Sequence, residues 1–224
     1  RRILLSTDYL AQAVSTEIQR IFGCEIFDHY GMTEMGLGGG IECSVHQGCH
    51  LREADLYVEV IDPFSGKALP EGEYGEVVFT TLTRTGMPLI RYRTGDRSRW
   101  LAGNCPCGSV LPRLESIRMR QNGMILLGEA DYLSLADLDE QLLALPGVID
   151  FKAALTGLGR RPALTIEVMA LGESLPCDEI EAALEKVDSV RRARQSNNLD
   201  LTINLLHCNA DFIPGIGKRN ISVI

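Results

Sequence analysis

Apolar positions along the first third of the chain recur at two different periods. "RRILLS" reads as a short buried strand, and "DYLAQAVSTEIQRIFG" carries apolar residues at helical spacing as far as Gly23, a stop signal. "CEIFDHYG" is a second short strand. Strand, helix and strand in that order predict a piece of an α/β layer. Further on the pattern alternates. "LYVEVIDP" and "EVVFTTL" flank the turn-rich "FSGKALPEGEYG", and "PLIRYRTGDRSRWL" is a third strand with its tip at Thr94-Gly95-Asp96. Gly/Pro turns between alternating strands predict an antiparallel β subdomain attached to the α/β layer.

A new unit starts at about Gln121. "GMILLG" is strand-like. "SLADLDEQLLAL" is helical, with Ser134 as N-cap and Pro146-Gly147 as its stop. "VIDFKAALTG" and "PALTIEVMAL" pair as strands, "CDEIEAALEKVDSVRRAR" is a helix with an acidic start and a basic end, and "LDLTINLLH" is a closing strand. This β-α-β-β-α-β order is the ferredoxin-like split pattern. The predicted architecture is α/β plus α+β, with residues 1–120 as one domain and 121–224 as a smaller one.

Composition narrows the function classes. A chain of 224 residues with 45% hydrophobic and 23% charged residues is an ordinary globular protein of one or two domains. Its net charge of -8 argues against a nucleic-acid partner. No apolar run reaches the length of a membrane span, and "RRILLSTDYL" is too short and polar for a signal peptide. Seven cysteines, an odd number without the spacing of a secreted scaffold, point to a reduced, cytoplasmic protein. The oligomeric state is left open, a homodimer included.

Candidate chemistry concentrates in a few segments. In Tyr30-Gly31-Met32-Thr33-Glu34 the ring offers a flat face, the hydroxyl can donate to a phosphate oxygen, and the carboxylate can hold Mg²⁺. The competing reading is a glycine-rich surface turn. In "RYRTGD", Asp96 can accept from both hydroxyls of a ribose, or can simply be the polar residue of a β-turn. Cysteine and histidine form a third group. Cys105-Pro106-Cys107 is a tight pair, and "ECSVHQGCH" offers Cys43, His46, Cys49 and His50. Thiolate and imidazole at four corners describe a structural Zn²⁺ site pinning two distant pieces of chain. Cys24, Cys177 and Cys208 read as small core residues.

Taken together, "DHYGMTEMG", "GEYGEVVFTTL", "MPLIRYRTGD" and "CPCG" resemble, in order, the adenylate-forming superfamily of acyl-CoA synthetases, in its phenylacetate–CoA ligase-like branch. The resemblance is strong to about Ile117 and weaker beyond. It implies that Tyr30 stacks on adenine, Gly31 lets the backbone approach the nucleotide, Thr33 contacts the α-phosphate, Glu34 binds Mg²⁺ and Asp96 holds the ribose hydroxyls. Ser6, Thr7 and Asp8 lie where the family lines the other face of adenine, and Arg120 matches its ribose-contacting arginine. His29 either lines an acyl pocket or packs structurally. For zinc, the family's spacing fits Cys43 with His50 beside Cys105 and Cys107; His46 and Cys49 remain spare.

The sequence departs from the family at two places. The usual Gly-Arg and hinge acid are replaced by Met119-Arg120 and Asn122. "PGIGKRNI" resembles the family's Gly-Lys motif but is one residue short, so the adenylating cation is Lys218 or Arg219. A Gly/Ser/Thr-rich phosphate loop ending in Lys does not occur; the family places it upstream. The expectation is therefore the C-terminal portion of a larger enzyme, inactive by itself. That enzyme would activate an aromatic carboxylic acid with ATP and Mg²⁺ and pass the acyl-adenylate to coenzyme A. Two alternatives are adenylyl transfer to a deazaflavin-type cofactor and a non-catalytic, zinc-stabilised nucleotide-binding module.

Overall fold

The computed structural model describes residues 1–6, 9–36, 38–120, 123–127, 131–157, 161–172, 175–208 and 219–224. The chain divides into two compact units, one of Arg1–Leu10 with Ile18–Gln121, the other of Ala11–Glu17 with Asn122–Ile224.

The chain opens with β1 (Arg2–Leu5), α1 (Gln12–Phe22) and β2 (Glu25–Tyr30); the strands and the helix from Ile18 belong to the first unit, and β1 pairs with β2 in parallel as a strand–helix–strand order demands. The helix stops at Gly23, whose φ of 56° is the left-handed conformation that a non-glycine residue resists. The strand β1 is not the buried strand expected: its residues alternate between exposed and half-buried, and Leu4 is 53% exposed. After a 3₁₀ turn at Thr33–Met35 come β3 (Gly40–Glu42), β4 (Cys49–Leu51), β5 (Leu56–Ile61), β6 (Gly75–Thr81), β7 (Tyr92–Ser98), β8 (Arg113–Leu114) and β9 (Met119–Arg120). One sheet has the order β1-β2-β3-β4-β8 and a second, antiparallel sheet the order β5-β6-β7-β9. Two apolar clusters fill this unit, one around Leu51, Val60, Val77 and Leu114, the other around Met35, Leu56 and Phe79. Tyr30 packs against both.

Thr94-Gly95-Asp96 is not a strand tip. It lies inside β7, where Gly95 with φ 75° accompanies a register shift opposite Glu76–Val78. The local reason is a bulge: glycine tolerates the positive φ, and the almost fully buried Glu76 accepts the Gly95 N–H at 3.2 Å. The strand therefore continues to Ser98, which excludes the β-turn reading of Asp96.

The second unit contains β10 (Ile125–Leu127), β11 (Asp131–Leu133), α2 (Leu135–Leu142), β12 (Val148–Thr156), β13 (Ala163–Leu171), α3 (Cys177–Leu184), α4 (Asp188–Gln195), β14 (Asp200–Cys208) and β15 (Ile221–Val223). Ser134 caps α2 in a full capping box with Asp137. The sheet order is β14-β13-β12-β15, with β12 and β13 antiparallel and both outer pairs parallel. This differs from the expected βαββαβ sheet. The three-residue "ILL" strand pairs with Asp131–Leu133 instead, because that neighbour satisfies its backbone while Leu127 and Leu133 enter the core. The expected long helix is two helices, since the break at residues 185–187 lets both Leu184 and Val187 bury. Cys177 is exposed, and Cys24 and Cys208 are half-buried, so none is the core residue expected. Among the described residues, no helix is long and apolar enough to cross a membrane.

Candidate functional site

The 3₁₀ turn carrying Thr33 and Glu34 is anchored by its apolar member. Met35 is fully buried against Leu56 and Phe79, which leaves Thr33 exposed and Glu34 half-buried. The motif is stitched to β7 at both ends. The Tyr92 hydroxyl reaches Glu34 Oε1 at 3.4 Å, and the Tyr30 hydroxyl donates to Asp96 Oδ2 at 2.9 Å. Gly31 sits exposed between them.

Asp96 is the most constrained member. It is 5% exposed, and its other oxygen, Oδ1, accepts from Arg120 Nε at 2.8 Å. Arg120 stands opposite Asp96 in the β7–β9 ladder, and its Nη2 also donates to the Thr94 carbonyl at 3.0 Å. Thr94 in turn accepts the Asp96 N–H through Oγ1 at 3.0 Å and donates to the Val77 carbonyl at 2.7 Å. Burial, then the adjacent Asp96 charge, pushes the Tyr30 hydroxyl well above its usual value, so it remains a neutral donor. The structure thus brings Tyr30, Asp96 and Arg120 together. Thr94 and Tyr92 were not singled out from sequence; period-two alternation from Asp96 back along "YRTGD" would have placed both on its face.

On the other side of β2, Ser6 Oγ lies 2.7 Å from His29 Nδ1. The imidazole rests on Gly38, where a Cβ would come within 1.9 Å of Nε2. Thr7, Asp8, Asn122 and Lys218 lie outside the described residues. Arg219, the alternative to Lys218, is described and committed. It pairs with Asp139 at 2.6 Å and Asp150 at 3.2 Å, and its guanidinium lies 4.4 Å from the centroid of the Phe151 ring.

The second constellation joins the β3–β4 turn to the loop before β8. The ligand atoms of Cys43, His50, Cys105 and Cys107 all lie within 4.8 Å of one another. Cys43 and Cys105 sulfurs are 3.6 Å apart, and Cys107 Sγ is 3.3 Å from His50 Nε2. Zn–S bonds of about 2.3 Å in a tetrahedron place two sulfurs roughly 3.8 Å apart, so the donor set and its spacing fit zinc. His50 Nδ1 lies 3.0 Å from the Leu111 carbonyl, which keeps the proton there and turns the Nε2 lone pair inward. The Cys105 thiol is drawn down to about 6, first by the Cys107 backbone N–H, then by the side chains of Cys107, His50 and Cys43. Burial pushes the Cys43 thiol up.

The two spare candidates, His46 and Cys49, stand outside this four-residue cluster. His46, at φ 54°, turns to Glu42 at 3.0 Å and Glu25 at 3.7 Å and packs on Phe27. Cys49 is 1% exposed in β4, and burial, reinforced by Asp28 and Glu42, pushes its thiol up to about 12.

The fold is that of the C-terminal part of adenylate-forming CoA ligases. A 2-hydroxyisobutyryl-CoA ligase structure, in complex with an acyl-AMP, matches 99% of this chain and 48% of its own with a TM-score of 0.75 at 22% identity. A benzoate CoA ligase from Burkholderia xenovorans LB400 matches 99% and 44%, with a TM-score of 0.64 at 18% identity. In sequence, the chain is similar to phenylacetate–coenzyme A ligases. That of Thermus thermophilus is 29% identical over 215 residues, covering 90% of this chain and 48% of that protein. That of Escherichia coli is 38% identical over 118 residues, covering 52% and 26%. The chain spans about half the length of the first of these relatives. No family model matches it.

Proposed function

We propose that this chain carries half of the nucleotide clamp of an ATP-dependent acid–CoA ligase. The observation that carries the reading is the Tyr30–Asp96–Arg120 arrangement, a nearly buried carboxylate fixed by two donors beside the Thr33–Glu34 turn. Asp96 receives the ribose hydroxyls, bordered by Arg120. Tyr30, with Ser6, Thr7 and Asp8, bounds the adenine. Thr33 contacts the α-phosphate at the exposed turn. A single carboxylate, Glu34, suits Mg²⁺ that arrives with the nucleotide, since that ion keeps most of its ligands from water and phosphate. Lys218 is the cation for the charge that develops as the acid's oxygen attacks the α-phosphorus and pyrophosphate leaves. Arg219 is a poor candidate, being held by Asp139 and Asp150.

The acid is proposed to be aromatic, after the phenylacetate relatives, and the acceptor to be coenzyme A. The reading needs a phosphate-wrapping loop, which the 224 residues do not contain. Cys43, His50, Cys105 and Cys107 are proposed to hold a structural Zn²⁺ that joins two turns of the first unit and takes no part in the chemistry. Residues 121–224 are proposed to be the small lid domain that changes position between the half-reactions.

The test is ATP–pyrophosphate exchange by the intact protein with phenylacetate and related acids, followed by thioester formation on adding coenzyme A. Thr33→Ala is expected to lower exchange about a hundredfold, as for loss of one donor to developing charge. Exchange with no acid of the panel, in protein that binds no ATP, would leave a non-catalytic module as the better reading.

A further inference from the structure

We propose that the Tyr30 hydroxyl is a positioning group for Asp96 and sets the protein's discrimination between ribose and deoxyribose nucleotides. The inference rests on the nucleotide reading above and adds to it a role for the phenol oxygen that is separate from the ring face.

An ionised carboxylate has about four lone-pair directions, two on each oxygen. In Asp96 one on each oxygen is already taken, Oδ2 by Tyr30 at 2.9 Å and Oδ1 by Arg120 at 2.8 Å. Among the described residues that leaves one acceptor direction per oxygen, which is the number a vicinal diol requires. The carboxylate is also prevented from rotating. Its backbone N–H is tied to Thr94 Oγ1 at 3.0 Å, its side chain is 7% exposed, and its two donors pull from different parts of the unit. Arg120 belongs to the same sheet as Asp96, whereas Tyr30 ends β2 in the other sheet.

Tyr30 is itself fixed. Its ring packs against both apolar clusters, and the bulge at Gly95 determines where Asp96 meets it. A hydrogen bond from a fixed donor limits a carboxylate to one orientation. Without it, Asp96 would keep its charge and its bond to Arg120 but could tilt about the Arg120 contact. One ribose hydroxyl would then lose its aligned acceptor. Loss should therefore appear as weakened selection for the diol.

Tyr30→Phe isolates the hydroxyl, because it preserves the ring. In the intact protein, the ratio of kcat/KM for ATP to that for 2′-deoxy-ATP and 3′-deoxy-ATP is measured for wild type, Tyr30→Phe and Asp96→Asn. The expected result is a fall of about tenfold in at least one ratio for Tyr30→Phe, the scale of one hydrogen bond to a charged group, in protein that still folds but melts at a lower temperature. Asp96→Asn should lose most of the discrimination. If Asp96→Asn loses it while Tyr30→Phe keeps the wild-type ratios, the positioning role is overturned and the nucleotide reading stands. If Asp96→Asn also keeps the wild-type ratios, the ribose assignment falls, and this inference with it. Should Tyr30→Phe fail to fold, Asp96→Glu carries the test. It keeps the charge but moves the oxygens one methylene past the hydroxyl, and undiminished discrimination there would equally overturn the proposal.

Discussion

The Cys43 and Cys105 sulfurs lie 3.6 Å apart although 62 positions separate them in sequence. A contact that closes so long a loop restrains the unfolded chain most when it is made permanent. Bound zinc would do that. Protein prepared without chelators is expected to carry about one Zn²⁺ per chain by elemental analysis. Cys105→Ser and His50→Ala should each reduce it, whereas His46→Ala and Cys49→Ala should not. Chelation should lower the melting temperature, since zinc at a thousand times its Kd stabilises by about 4 kcal/mol. A metal-free chain that melts identically with and without added zinc would end the proposal.

Tyr30 gives a pH signature. Its folded value is raised well above the usual 10, chiefly by burial and then by Asp96. A raised pKa stabilises the protonated form, so the contribution is fully present below about pH 10 and is lost as pH rises through the folded value. Alkaline titration followed at 295 nm should show Tyr30 last, coincident with unfolding, after Tyr74, which burial and then Glu115 also raise. Tyr30→Phe should remove that late step and leave the earlier ones.

Gly38 should be intolerant of any side chain. Its φ is 104°, and an added Cβ would lie 1.9 Å from His29 Nε2. Gly38→Ala is expected to cost about 1–3 kcal/mol from backbone strain alone, with the ring overlap added. In a His29→Ala background the overlap disappears and only the strain remains. Chemical denaturation of the four proteins measures that coupling, and strictly additive effects would contradict it.

Arg219 and Lys218 should separate cleanly. Removing Arg219 takes from Asp139, whose side chain is 7% exposed, a charged hydrogen bond of 2.6 Å. Arg219→Ala is expected to destabilise by about 1.5–3 kcal/mol in urea titration. Lys218→Ala should leave stability unchanged and abolish pyrophosphate exchange in the intact protein. The opposite assignment of the two losses would make Arg219 the catalytic cation.

Local signals were legible in the sequence where one residue type has one physical use. Gly23 ended α1 and Ser134 capped α2, because left-handed φ and an N-terminal acceptor have few alternative sources. The Cys43–His50–Cys105–Cys107 cluster was nameable from donor chemistry and family spacing, but that His46 stands apart from it could only be seen in space. Thr94-Gly95-Asp96 misled, because glycine beside aspartate marks a turn and a bulge equally. Strand β10 misled because three apolar residues carry no information about which partner they find. Strand β15 was missed: its segment drew attention for Lys218, and three residues set no period. The Tyr30–Asp96 contact spans 66 positions, which no local pattern encodes.

Tyr30 also serves as a wedge between the Leu51–Val60–Val77–Leu114 and Met35–Leu56–Phe79 clusters. Ligand handling and folding therefore compete for the same side chain. Laboratory evolution toward other nucleotides should find position 30 almost frozen, accepting another flat ring and little else. Arg120, whose side chain is 57% exposed, lies outside both clusters, so variation there would be limited by its bond to Asp96 rather than by the core.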